Sequence, residues 1–302
     1  MKIKKSILVV GGTGFLGYHF GKKCLKKNFN VESLSTTKPK KKRFLKNINY
    51  IICDITKKKL LKKKLKKKYD YIVNLGGHVN HSNKSKTYKS HYIGVKNLTN
   101  HFLEKPPKLF LQFGSGGEYG NIKSPHLEIV KYQKLENYYK AKFLATTYLL
   151  KLFKTKNFPV SIFRLYQAYG PKQDNNRLIP YIIESCLNNK NFDCTHGKQL
   201  RDFIYVDDVV NAMFKALRTK NSVGQIFNIG TGKPISVKYL INYIKTIIGR
   251  GKPQFNKIKL RKDEKMKTYP NIKKIKAYLK WKPKVTFFRG IKKTIINFKF
   301  EN

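Results

Sequence analysis

Short runs of β-branched and aromatic residues alternate with stretches of helical periodicity through the first two thirds of the chain. Residues 7–10, 31–34, 50–52, 71–75, 109–113 and 160–165 predict strands. Between them, Leu16, Phe20 and Cys24 recur every four residues, and Leu60, Leu61 and Leu65 mark a helix inside a lysine-rich segment. Strands alternating with helices predict an α/β fold, a parallel sheet covered on both faces. Beyond Tyr166 the pattern loosens, and Gly170-Pro171, Asn175-Asn176 and His196-Gly197 signal turns. Apolar runs return at 203–210 and 226–229, and short helices are predicted around 237–248 and 271–279.

The length, 302 residues, allows one large domain or two lobes. No apolar run approaches the roughly 20 residues of a membrane span. The start imitates a basic leader, but only residues 7–10 are apolar before Gly11-Gly12 and no cleavage site follows, so it reads as a first strand. Four cysteines without a CxxC pair point to a reducing cytoplasm. The formal net charge of +50 invites a nucleic-acid reading. Composition opposes it: there are eight arginines against fifty-eight lysines, spread over nearly every segment. Phosphate and base recognition leans on arginine forks, so the lysines read as solvated faces and neither nucleic acid nor membrane is expected as a partner. His78 and His81 lie three apart but no cysteine or acidic cluster accompanies them, so no metal is expected.

The first strand runs directly into Gly11, Gly14 and Gly17, then a helix beginning at Phe15-Leu16. Such a turn lets backbone approach a pyrophosphate, and the helix N-terminus offers free N–H groups to it. The end of the second strand selects the cofactor. A carboxylate there would bond ribose hydroxyls and disfavour a 2′-phosphate. The chain has Ser35 instead, followed by Lys38, Lys40 and Arg43, which leaves NAD and NADP both open and permits NADP. Asp54 and Ile55, after the third strand, are candidate adenine contacts; the alternative for Asp54 is a turn-capping residue.

Tyr138 and Lys142, four apart, share a helix face. A cation beside a phenol lowers its pKa and makes it a usable base. Ser115 ends a strand in a glycine turn, at the sheet edge where α/β sites sit, and could bond the oxygen that Tyr138 serves.

These segments, in order with 164–173, 197–209, 227–232, 261–264 and 279–283, resemble the extended short-chain dehydrogenases/reductases, the NAD-dependent epimerase/dehydratase group that acts on nucleotide sugars. The resemblance implies a Rossmann-type doubly wound sheet over 1–165, with 202–230 returning to it. It implies a smaller nucleotide-sugar-binding lobe from 166–201 and 231–302. It further implies Ser115, Tyr138 and Lys142 as the catalytic trio, Lys142 also holding the nicotinamide ribose. Arg201 would grip the substrate diphosphate, Arg261 would contact the nucleotide, Leu178 would lie along the base, and Gln167 stands where the family usually has asparagine. His91 likewise replaces an asparagine near the cofactor. A homodimer is expected from the resemblance alone.

Two glycines, Gly116 and Gly117, stand where the family's 4,6-dehydratases carry Asp and Glu, so no standard dehydratase is expected. Glu118 sits one residue late. Two chemistries remain: a C4 epimerase that retains its cofactor, and an NADPH-dependent 4-ketoreductase of a 4-keto-6-deoxy nucleotide sugar. Overall motif similarity favours the first and Ser35 the second. A non-catalytic dinucleotide-binding scaffold is the reading from another class.

Overall fold

The computed structural model describes residues 4–78, 83–131, 133–261 and 264–301. Six strands, β1 (Ser6–Val10), β2 (Asn30–Ser35), β3 (Asn49–Ile52), β4 (Tyr71–Asn74), β5 (Leu109–Ser115) and β6 (Val160–Leu165), join Ile226–Ile229 in one sheet. The spatial order runs from Ile226–Ile229 through β6, β5, β4, β1 and β2 to β3, with every neighbouring pair parallel. The chain leaves β1 in one direction toward β2 and β3, and later returns on the other side toward β4. Between β1 and β4 the sheet therefore opens a crevice at its carboxyl edge, the place where doubly wound sheets bind ligands.

The alternation along β1 shows why both faces are covered. Ile7 and Val9 join a core with Phe20 and Cys24 of the helix Phe15–Lys26 and with Val209 and Met213 of the helix Val206–Arg218. Leu8 and Val10 join the opposite core with Leu61, Leu98 and Leu149, from the helices Lys58–Lys64, Gly94–His101 and Asn137–Lys156. Each fully buried leucine contributes about 1.5–3 kcal/mol. Leu60, grouped with Leu61 by periodicity, instead faces solvent beside its lysines.

Smaller sheets follow β6. Gln167–Tyr169 pairs with Phe203–Tyr205, Leu200–Arg201 lies between Ile235–Ser236 and Lys267–Thr268, and Asn191–Asp193 pairs with Lys252–Gln254. The apolar run at 203–210 divides, with strand to Tyr205 and helix from Val206. Phe203–Tyr205 thus lies outside the large sheet, whereas Ile226–Ile229 forms its edge. The buried Asp208 accepts the backbone N–H groups of Lys284 (3.0 Å) and Val285 (2.8 Å), tying the C-terminal segment to that helix. No helix among the described residues is long and apolar enough to cross a membrane.

Candidate active site

The glycine turn is built for close approach. Gly11 takes φ +76°, a left-handed conformation that favours glycine, and a Cβ on Gly17 would lie 2.5 Å from the Gly11 carbonyl oxygen. Around Gly14, by contrast, the only neighbour a Cβ would meet is that same oxygen, at 3.2 Å, so its outer side is open. Gly14 is also the N-cap of the helix Phe15–Lys26, and no side chain caps it. The free N–H groups and positive helix end therefore face the cleft, and the cradle fits a pyrophosphate.

That cleft, about 1190 Å³, is lined by Gly11, Gly14, Phe15, Leu16, Gly17, Ser35, Asp54 and Ile55 at one end and by Ser115, Tyr138 and Lys142 at the other. Ser35 is buried and its Oγ accepts the Thr13 N–H (3.3 Å). Asp54 shows the turn role as well, accepting the Thr56 N–H at 2.8 Å. A second cleft of about 890 Å³ carries Arg201 and Arg261 and shares Ser115, Tyr139, Tyr166, Gln167 and Leu178 with the first. Every candidate site residue thus lines one cleft or the other, and the two clefts join at Ser115.

Lys142 is buried and donates to the Phe113 carbonyl at 2.9 Å, and its Nζ lies 5.5 Å from the centre of the Tyr138 ring. Burial lowers its pKa to about 8, with the Glu118 charge opposing. The expected depression of the Tyr138 pKa does not appear. Burial pushes that phenol up to about 12, against the nearby Arg177 charge. One N–H of the Lys142 ammonium is taken up by the Phe113 carbonyl, and its other donors are left for the cleft.

Keeping an ammonium buried with that shift costs about 3 kcal/mol. The folded pKa lies below the unfolded one, so this cost is complete below about pH 8 and disappears as pH rises through 10.5. Lys142→Met is accordingly expected to raise the urea midpoint at pH 7. A lowered midpoint would count against this assignment of the cost.

Several contacts were not foreseen. The His91 ring packs edge-on against Tyr138, centroids 4.9 Å apart, and its Nε2 lies 3.0 Å from the His78 carbonyl oxygen. His81, the other half of the sequence pair, lies outside the described residues. Gly116 packs under the Tyr166 ring and Gly117 under the Tyr139 ring, where a Cβ would meet ring atoms at 2.8 Å and 2.0 Å. The space of the dehydratase acids is filled by aromatic rings. Glu118 points away from the cleft altogether. It is 1% exposed, accepts the Ser115 N–H (2.7 Å) and the Thr146 hydroxyl (2.8 Å), and pairs with Arg164 Nε (3.1 Å).

The Arg201 guanidinium pairs with Glu264 across the second cleft. Asp202 accepts the N–H groups of Thr231 (2.7 Å) and Gly232 (2.6 Å).

A doubly wound parallel sheet, an uncapped glycine cradle at its crevice and a second, arginine-bearing cleft joined to it define a Rossmann-type α/β protein. Comparison with known proteins narrows the class. The family model described as NAD dependent epimerase/dehydratase family matches residues 7–230, and the chain belongs to that family. A putative UDP-glucose 4-epimerase of Methanocaldococcus jannaschii is 30% identical over 96% of this chain and 97% of its own length. CDP-abequose synthase of Salmonella typhimurium is 38% identical over 139 residues, 44% of this chain, and the match spans only 46% of that protein. The crystal structure of UDP-glucose 4-epimerase from Thermotoga maritima with UDP-glucose superposes with a TM-score of 0.92 at 25% identity, over 98% of this chain and 99% of that one.

Proposed function

We propose that this chain is a nucleotide-sugar C4 epimerase. The observation that carries the reading is the junction of the clefts: Ser115 is shared, Tyr138 and Lys142 flank it on the dinucleotide side, and Arg201 and Arg261 line the other side. The bound dinucleotide would supply the hydrogen acceptor and donor for C4. The chain's own groups do the rest. Tyr138 exchanges the proton of the C4 oxygen, Ser115 hydrogen-bonds that oxygen, and Lys142 holds the cofactor's ribose. Residues 166–201 and 231–302 would form the lobe that binds the sugar nucleotide, with Arg201 and Arg261 on its phosphates and Leu178 and Gln167 along the nucleotide. A planar guanidinium suits a diphosphate better than lysine. Arg201 would then leave Glu264 when substrate arrives.

The two full-length relatives named for UDP-glucose 4-epimerase support UDP-glucose as the first substrate to test. The glycines under Tyr139 and Tyr166 disfavour dehydration, because no carboxylate stands there to move protons at C5 and C6. The uncharged Ser35 favours a second reading, an NADPH-dependent 4-ketoreductase.

One experiment separates them. Purified protein is denatured, the released dinucleotide is identified by mass spectrometry, and native protein is incubated with UDP-glucose under NMR. Resident NAD(H) and the appearance of the C4 epimer without added cofactor are expected. Protein that arrives empty, and that consumes NADPH only with a 4-keto sugar nucleotide, would replace this reading with the reductase.

A further inference from the structure

We propose that Asp174 supplies, from the loop after β6, the carboxylate that the end of β2 lacks, and that it selects NAD(H) by occupying the place a 2′-phosphate needs. The inference rests on the dinucleotide-binding part of the function proposed above.

Lys40 and Arg43 follow β2 and line the cleft with Ser35 and Thr36, and Asp174, from the segment after β6, lines the same cleft. Both cations converge on one oxygen of Asp174, Lys40 Nζ at 2.9 Å and Arg43 at 2.6 Å. The cations that read from sequence as bait for a phosphate are therefore already engaged by a carboxylate. Arg43 is only 4% exposed, so it is set in place rather than free to swing toward a ligand. The pair of cations holds the Asp174 carboxyl below its ordinary range despite partial burial, and it is ionised throughout the neutral range.

The loop bearing Asp174 is pinned to the dinucleotide side. The His19 ring, on the helix that starts at the glycine cradle, bonds the Pro171 carbonyl at 2.9 Å. Lys42 reaches the Gln173 carbonyl at 3.4 Å, and the Gln173 side chain bonds the Ala168 carbonyl at 3.0 Å. A loose loop would let a phosphate take over the cations. A loop fastened at Pro171 and Gln173, and again through Asp174 itself, keeps the carboxylate where it is. A 2′-phosphate arriving there finds the two cations already paired and has to displace the Asp174 carboxylate from both of them, which is discrimination by an occupied site. A ribose hydroxyl meets a hydrogen-bond acceptor instead.

The test is calorimetric titration of NADH and NADPH into protein freed of resident dinucleotide, as wild type, Asp174→Asn and Asp174→Glu. Wild type is expected to prefer NADH by about tenfold or more, a difference of about 1.4 kcal/mol. Asp174→Asn should collapse that preference, by gaining NADPH or losing NADH, and Asp174→Glu should keep it. Asp174→Asn takes the carboxylate from the buried Arg43, so its urea midpoint is measured alongside, while Asp174→Glu keeps the pair and separates a lost fold from a lost preference. Wild type preferring NADPH, or an NADH/NADPH ratio unmoved by Asp174→Asn, overturns the inference while leaving dinucleotide binding intact. If wild type binds neither dinucleotide, the proposed function falls and this inference with it.

Discussion

Tyr138→Phe is expected to lower kcat by about 10²–10⁴-fold, the usual worth of a positioned acid or base. That corresponds to roughly 3–5 kcal/mol of transition-state stabilisation. The substitution removes one oxygen and keeps the ring, so the edge-on contact with His91 remains. Dinucleotide affinity and stability should change little, and the loss should fall on kcat rather than on KM. The high pKa gives a second handle. With the phenol pushed up to about 12, Tyr138 stays protonated across the neutral range. Reduction of a 4-keto sugar should then show kcat/KM flat from about pH 6 to pH 8, since that quantity reports the free enzyme. Above the Lys142 value of about 8 it should decline as the ammonium is lost. A Tyr138→Phe enzyme within threefold of wild type would remove the phenol from the chemistry, whatever the rest of the site does.

The parts of this site that could be read from sequence are those fixed by local spacing. Gly11, Gly14 and Gly17 declare a turn because each lies a few residues from the next and follows a strand. Tyr138 and Lys142 share a helix face by period alone. The β1 alternation and the helices between strands carry the sheet in the same way, since both depend on neighbours in sequence. What could not be read depends on partners far along the chain. Asp174 meets Lys40 and Arg43 only because the segment after β6 returns beside the end of β2. Composition obscured this, because among so many lysines no single one stands out. Nothing local in the sequence tells that the Tyr139 ring covers Gly117. His91 looked like a lost cofactor contact, and its ring supports Tyr138 instead. The phenol's pKa was misjudged for a related reason. Sequence showed the cation at the right spacing, but not the burial that raises the phenol's pKa, nor the Phe113 carbonyl that accepts a hydrogen bond from the lysine.

Glu118 shows the same limit and yields the largest expected effect on stability. From sequence it is a displaced dehydratase acid; in the fold it is the fastening between Ser115, the helix of Tyr138 and Lys142, and β6. Its carboxylate bonds the Ser115 N–H at one oxygen, and Thr146 and Arg164 at the other. Arg164 is 0% exposed, so removing Glu118 takes the paired carboxylate from a buried guanidinium. Breaking a buried pair from one side costs about 3–5 kcal/mol, which is a large part of the 5–15 kcal/mol typical of a whole domain. Glu118→Ala is expected to lose that much in urea unfolding. Glu118→Met combined with Arg164→Met should recover most of it, because both charges leave together and the methionines keep volume in the core. The recovered double variant should still turn over poorly, since Ser115 and the helix of Tyr138 have lost their common anchor. A Glu118→Ala cost below about 1 kcal/mol would mean that water or a rearranged neighbour satisfies Arg164.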